Sequence, residues 1–191
     1  ATTVTALVKN ITYANTDMAA PTTGARTVRY VLTDGDGGTS ANYDATVTVS
    51  AVNDAPTLTN LSGDSLAYSE GDGAVVIEQG ANVLVADSDS SNFDTGTLTV
   101  SIPSGGDSAE DVLSIRNQGT GAGQIEVSGS TISYEGTPIG TFTGGSGGSN
   151  LVITLNSSAD ATTVTALVKN ITYANTDTAA PTTGSRTVRY V

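Results

Sequence analysis

The chain has no cysteine, no histidine and no tryptophan. These absences remove the thiolate nucleophile, the commonest general base and the usual zinc and copper ligands. What is left for a metal is oxygen from carboxylates, amides and backbone carbonyls, a donor set suited to hard cations such as calcium. Basic residues are scarce as well, 7 Lys and Arg against 19 Asp and Glu, for a net charge of −12. Such a surface repels nucleic acid and anionic membranes and attracts cations, and it carries no basic stripe for a nucleic-acid partner. No long apolar run is present, so no membrane insertion is expected, and nothing reads as a signal peptide, as in a segment cut from something longer. The missing cysteine is silent on redox compartment.

Thr, Ser, Gly, Val, Asp and Asn dominate instead, while Lys, Glu, Leu and Met are few. Abundant β-branched and turn residues with few helix formers predict an all-β protein. Residues 26–33 place Val28, Tyr30 and Leu32 on one face of a strand, and residues 43–52 alternate Ala45, Val47 and Val49 against Asp44, Thr46 and Thr48. The Gly- and Asp-rich residues between them read as a hairpin loop. Further strands are expected at 74–78, 97–102, 112–115, 124–127, 131–134, 139–142 and 151–155. Their close spacing with intervening glycines points to an antiparallel β-sandwich or a related double sheet. In residues 157–173 the spacing of Val164, Leu167, Val168 and Ile171 favours a short helix over a strand, with Ser158 or Asp160 as N-cap.

The strongest signal is a repeat. Residues 1–31 return as 161–191, altered only at Met18 against Thr178 and Ala25 against Ser185, so the period is the interval from Ala1 to Ala161. That period is too long for a solenoid turn and fits a whole domain with its linker. The sharpest punctuation between apolar alternations is Val52–Pro56, where Pro56 breaks a strand and Asn53-Asp54 forms a turn pair. On this division residues 1–51 are the C-terminal part of one module and 52–56 a linker. Residues 57–191 are the following module without its final hairpin, whose sequence should resemble Leu32–Pro56.

Four acidic patches are the candidate cation sites: Asn53 with Asp54, Glu70 with Asp72, Asp87 with Asp89 and Asp94, and Asp34 with Asp36. Carboxylates two residues apart can turn toward one cation, but calcium takes about 6–8 oxygens, so several patches must converge. Each patch has a plainer reading as a tight turn, for which Gly, Asp and Asn are also the preferred residues. If residues 43–52 form the module's last strand, the loop before it lies at the opposite end, and Asp34 and Asp36 face the upstream junction. Arg26 and Arg29 are expected to pair with nearby Asp. Tyr13, Tyr30, Tyr43, Tyr68, Tyr134 and Tyr173 are expected to pack at strand ends, although tyrosines can also stack on sugars. The Gly-rich Thr143–Asn150 lacks the Asp of a calcium-binding nonapeptide turn and reads as a loop. The Asn-x-Ser/Thr sites at Asn10, Asn60, Asn156 and Asn170 are frequent by chance in such a composition.

"AVNDAP", "LVADSDSSNFDTGTLTVSI" and "YSEGDG" resemble the linker, the D-x-D segment and the glutamate region of cadherins. With "YEGTPIGTFTGG", "ITYANTD" and "RTVRYVLTDGDGGTS", the chain more closely resembles the cadherin-like tandem modules of giant bacterial surface and biofilm-associated adhesins of the RTX type. The resemblance covers most of the period. It implies calcium at module junctions, held by Asn53, Asp54, Asp87 and Asp89, with Glu70 serving the following junction. It also implies an extracellular, cell-surface location. The Asp-Arg-Glu loop of the cadherins has no match here, and the period exceeds an ordinary cadherin repeat, with the surplus expected between Pro103 and Asn150.

Three functions are compatible with these features. The first is a structural or adhesive repeat: a calcium-stiffened spacer, or a filament-forming module whose open end takes a strand from a second copy, head to tail. The alternative is a calcium-dependent module that binds polysaccharide or another cell. Glycoside chemistry by a carboxylate pair is set aside, because every acidic cluster lies in a turn or linker and near-identical duplication suits a scaffold.

Overall fold

The computed structural model describes residues 2–191, which divide into two compact units meeting at Ala55 and Pro56. Both are built from antiparallel strands, and each contains one short helix, so the chain is all-β in class.

The first unit holds helix α1 (Thr2–Val8) and a two-stranded sheet of β1 (Gly24–Tyr30) and β2 (Tyr43–Val49). Arg29 stands opposite Asp44, and Tyr30 opposite Tyr43. None of its described residues is fully buried. A lone two-stranded sheet is marginal in water, because it has no apolar face covered by a second layer.

The second unit holds the core. Its strands are β3 (Thr57–Thr59), β4 (Val75–Val76), β5 (Leu84–Ala86), β6 (Thr97–Ser104), β7 (Asp111–Ile115), β8 (Ile125–Ser128), β9 (Thr131–Tyr134), β10 (Thr137–Thr143), β11 (Leu151–Leu155), β12 (Ile171–Asn175) and β13 (Thr187–Tyr190). A six-stranded sheet runs β13-β6-β11-β10-β9-β8, a three-stranded sheet runs β4-β12-β7, and β3 pairs with β5. Turn chemistry sets the β9–β10 hairpin: Tyr134 pairs with Thr137 across Glu135 and Gly136, both at positive φ (51° and 78°), the geometry of a tight primed turn.

One apolar cluster joins all three sheets, Val85 of β5 included, to helix α2 (Ala161–Val168). Alternate residues Leu98 and Val100 of β6, Leu151 and Ile153 of β11, and Leu113 and Ile115 of β7 are buried in it, the period-2 pattern of a strand with one face inward. Each such side chain contributes about 1.5–3 kcal/mol on burial. From α2 come Val164, Leu167 and Val168, and from β12 Ile171.

Asp160 starts α2: its carboxylate accepts from the Thr163 N–H (2.8 Å), and the Thr163 hydroxyl accepts from the Asp160 N–H (2.9 Å). This reciprocal cap satisfies two otherwise orphaned donors and is worth about 1 kcal/mol. The helix stops at Val168 and the backbone is extended again from Ile171. The apolar spacing that ran to Ile171 therefore spans two elements, three residues on the helix and one on the strand.

Strands at 97–104, 111–115, 125–128, 131–134, 137–143 and 151–155 match the sequence pattern to within two residues at each end. The stretch expected at 74–78 narrows to β4. β3 and β5 have no counterpart in the sequence pattern, because three-residue strands carry too little alternation to read.

Candidate functional site

The acidic candidates are placed by short turns. In the loop between β1 and β2, the Asp34 carboxylate accepts from the N–H groups of Asp36 and Gly38, both at 2.9 Å. Those two bonds hold its pKa below the ordinary carboxylate value. Asp87 behaves in the same way, accepting from the N–H of Asp89 (3.1 Å) and of Ser90 (3.0 Å), and its pKa is likewise lowered. The Asn53 amide donates to the Asp54 carbonyl at 2.7 Å. Glu70 is exposed in a turn, next to Asp72, whose carboxylate accepts from the Ser69 N–H at 2.7 Å.

Asp36 and Asp89 thus meet the carboxylates of Asp34 and Asp87 through their backbone N–H groups, each within its own loop. Within either unit, no three carboxylates among the described residues converge so as to hold a metal ion. A pair supplies fewer than the roughly 6–8 oxygens of calcium; the rest would have to come from amides, backbone carbonyls, water or a neighbouring module.

The arginines divide. Arg29 makes a two-pronged contact with Asp44, at 2.8 Å from each donor. Arg26 donates to the carbonyls of Thr22, Thr23 and Gly24 instead. Its counterpart Arg186 makes the same backbone bonds to Thr182 and Gly184, and in addition meets buried Asp111 at 3.1 Å.

Asp111 is the centre of a buried polar cluster that the sequence did not reveal. Its carboxylate accepts from the Tyr173 hydroxyl (2.5 Å), the Asp107 N–H (2.7 Å) and Arg186. Burial alone would raise its pKa, but Tyr173, the Asp107 N–H and Arg186 together outweigh burial and lower it. Burial, and then Asp111, push the Tyr173 phenol up to about 12. The hint in the sequence was Arg186 itself, a cation just before β13 and in step with Val188 and Tyr190, the residues of that strand that pack on the core.

Along β13 lies an open groove of about 880 Å³. Thr187–Tyr190 line it, together with Leu58, Leu61, Leu66 and Ile77. β13 is the outermost strand of the six-stranded sheet, hydrogen-bonded to β6 on one edge and, among the described residues, to no strand on the other. Tyr68 and Tyr173 meet edge to face in the same region, with ring centroids 4.9 Å apart, and Tyr190 buries a hydroxyl that has no hydrogen-bond partner among the described residues.

The two copies of the duplicated passage differ sharply in their surroundings. Leu167, Val168 and Ile171 are each 0 % exposed, whereas Leu7, Val8 and Ile11 are 66 %, 46 % and 49 % exposed. Residues 171–175 are the central strand of the three-stranded sheet, whereas residues 11–15 form no strand. Asn170, one of the four potential glycosylation sites, is buried, with its amide on the Ala166 carbonyl (2.8 Å) and accepting from Arg116 (2.8 Å). No helix among the described residues is long and apolar enough to cross a membrane. Compared with models of known protein families, with curated proteins and with solved structures, the chain matches none.

Proposed function

We propose that this chain is part of a long, repetitive spacer whose β-modules, antiparallel sandwiches of the cadherin type, recur at the interval from Ala1 to Ala161. The observation that carries the reading is the duplicated passage and what its second copy builds. In the second unit it supplies a helix, the central strand of one sheet and the outer strand of another, all feeding a single core. A passage used in this way is a structural part of a domain, not a ligand site, and near-identical copies of such a part belong to tandem modules.

The polar chemistry agrees with a scaffold. The best-connected carboxylate, Asp111, is engaged by Arg186, Tyr173 and Asp107, leaving it neither exposed nor available as an acid or base. The exposed acidic turns give a surface that attracts cations. Calcium at the junctions, on an extracellular surface protein, belongs to the proposal for ligands pooled from successive modules, with Asn53, Asp54, Asp87 and Asp89 as donors and Glu70, Asp34 and Asp36 toward neighbouring junctions.

The test is solution X-ray scattering on arrays of one, two and three periods, with calcium and with chelator. A spacer lengthens by a constant increment per period. Dimensions that grow only as those of a compact globule would sink the reading, and identical dimensions in calcium and chelator would remove calcium from it. Saturable, calcium-dependent retention on a glycan array would replace the spacer with the carbohydrate-binding alternative.

A further inference from the structure

We propose that the Asp36-Gly37 step, in the loop between β1 and β2, is a site of spontaneous covalent modification, where aspartate isomerises to isoaspartate. The inference concerns the chemistry of one loop and goes beyond the modular reading.

The reaction needs only the chain and water. The Gly37 backbone nitrogen attacks Cγ of Asp36 and gives up its proton, the carboxyl hydroxyl leaves as water, and a five-membered succinimide closes. Water then reopens the ring. Attack at Cγ restores aspartate. Attack at the Asp36 backbone carbonyl carbon breaks its bond to the Gly37 nitrogen, so the chain now runs through Cβ and Cγ and the former backbone carbonyl becomes the free carboxylate. One water leaves and one enters, so mass and charge are unchanged. A following glycine favours closure, because it puts no side chain beside the attacking nitrogen and leaves the backbone free to reach the ring geometry.

Aspartate precedes glycine at Asp34-Gly35, Asp36-Gly37 and Asp72-Gly73. The structure separates these steps. Oδ1 of Asp34 accepts from the N–H groups of Asp36 and Gly38, both at 2.9 Å, and these bonds must break before the carboxyl can turn toward Gly35. Its other oxygen lies so close to Gly38 that a Cβ there would stand 2.3 Å away. The same bonds keep Asp34 ionised, whereas the ring closes from the neutral acid, whose hydroxyl can leave. Asp72 is tied to its own turn: its carboxylate accepts from the Ser69 N–H at 2.7 Å, and its N–H donates to the Ser69 carbonyl at 3.1 Å.

Asp36 lacks these restraints. Its backbone N–H is fixed by Asp34, but its side chain is exposed. Among the described residues, neither its carboxylate nor the Gly37 N–H has a hydrogen-bond partner. Gly37 sits at φ 100°, with nothing within 4 Å of the place a Cβ would take, so the loop has room for the ring.

The product would alter the loop. The Asp34 N–H on the Gly38 carbonyl (3.2 Å) and the Gly38 N–H on the Asp34 carboxylate close it across residues 36 and 37. Isoaspartate adds one backbone atom inside that closure and loosens it. It also draws the residue 36 carboxylate one carbon closer to the backbone, shortening its reach toward a cation.

The test ages the intact chain in warm, mildly acidic buffer. Isoaspartate is measured by transfer of labelled methyl groups from S-adenosylmethionine by an isoaspartyl carboxyl methyltransferase. It is located with an endoprotease that cuts before aspartate but not before isoaspartate. The proposal predicts loss of the cut before residue 36, with Asp36 at least about tenfold ahead of Asp34, where two hydrogen bonds must break first. Asp72 should also trail Asp36. In urea, with the loop bonds gone, the three steps should modify at similar rates. Asp36→Glu, whose ring would need six members, should remove most of the methyl incorporation of the folded chain. Incorporation that survives Asp36→Glu overturns the proposal, as does a folded chain that modifies Asp34 or Asp72 as fast as Asp36. A folded chain that takes up no methyl groups while its urea-unfolded form does so overturns it as well.

Discussion

Asp111 shows how much of the second unit depends on one side chain. A buried carboxylate is tolerated only when its charge is met, and here Arg186, Tyr173 and the Asp107 N–H meet it. Removing it by Asp111→Ala leaves Arg186 facing a buried void, and we expect a loss of about 3 kcal/mol in urea unfolding of the second unit. Asp44→Ala, which breaks the exposed pair with Arg29, should leave the urea midpoint close to that of the unmodified chain, because solvent screens that pair. Acid and alkali act on the Asp111 cluster from opposite sides. The depressed pKa of Asp111 means that its contribution is present above the unfolded value of about 4 and fades as pH falls through the folded one. Tyr173 is raised, so its contribution is whole below the unfolded value of about 10 and fades as pH climbs toward about 12. Melting temperature against pH should thus fall at both ends; Tyr173→Phe should flatten the alkaline fall and start the acid fall at a higher pH, because Asp111 loses a donor that holds its pKa down.

At the scale of elements, the two copies separate what the sequence encodes locally from what it borrows. Local features appear in both. α1 and α2 form at matching positions, Asn10 and Asn170 each close their helix on the carbonyl four residues back, and Asp17 and Asp177 each gather two N–H groups of the following turn. Of these, the helix was legible from apolar spacing; the Asn and Asp closures, local side-chain-to-backbone bonds, were not read. The strand at Ile171–Asn175 was not, because it exists only where β4 and β7 lie on either side; the same residues at 11–15 have no such partners and form none. The groove and the Asp111 cluster were illegible for the same reason, being made by residues far apart along the chain. Leu167→Ala should cost about 2–5 kcal/mol, as expected for a fully buried leucine, while Leu7→Ala in an identical helix should change stability by less than about 0.5 kcal/mol. Denaturant unfolding of the two variants side by side checks this.

For the whole molecule, the central claim is that one period makes one module and that residues 161–191 are the late part of it. The second unit has a core, and an outer strand with a groove beside it; the first has a two-stranded sheet and, among its described residues, none that is fully buried. The most direct measurement is thermal unfolding of the chain extended after Val191 by the sequence of Leu32–Val52. The account predicts a single higher melting transition for the second unit, with the added strand protected from hydrogen exchange. An unchanged melting temperature, with the added residues exchanging freely, would contradict it.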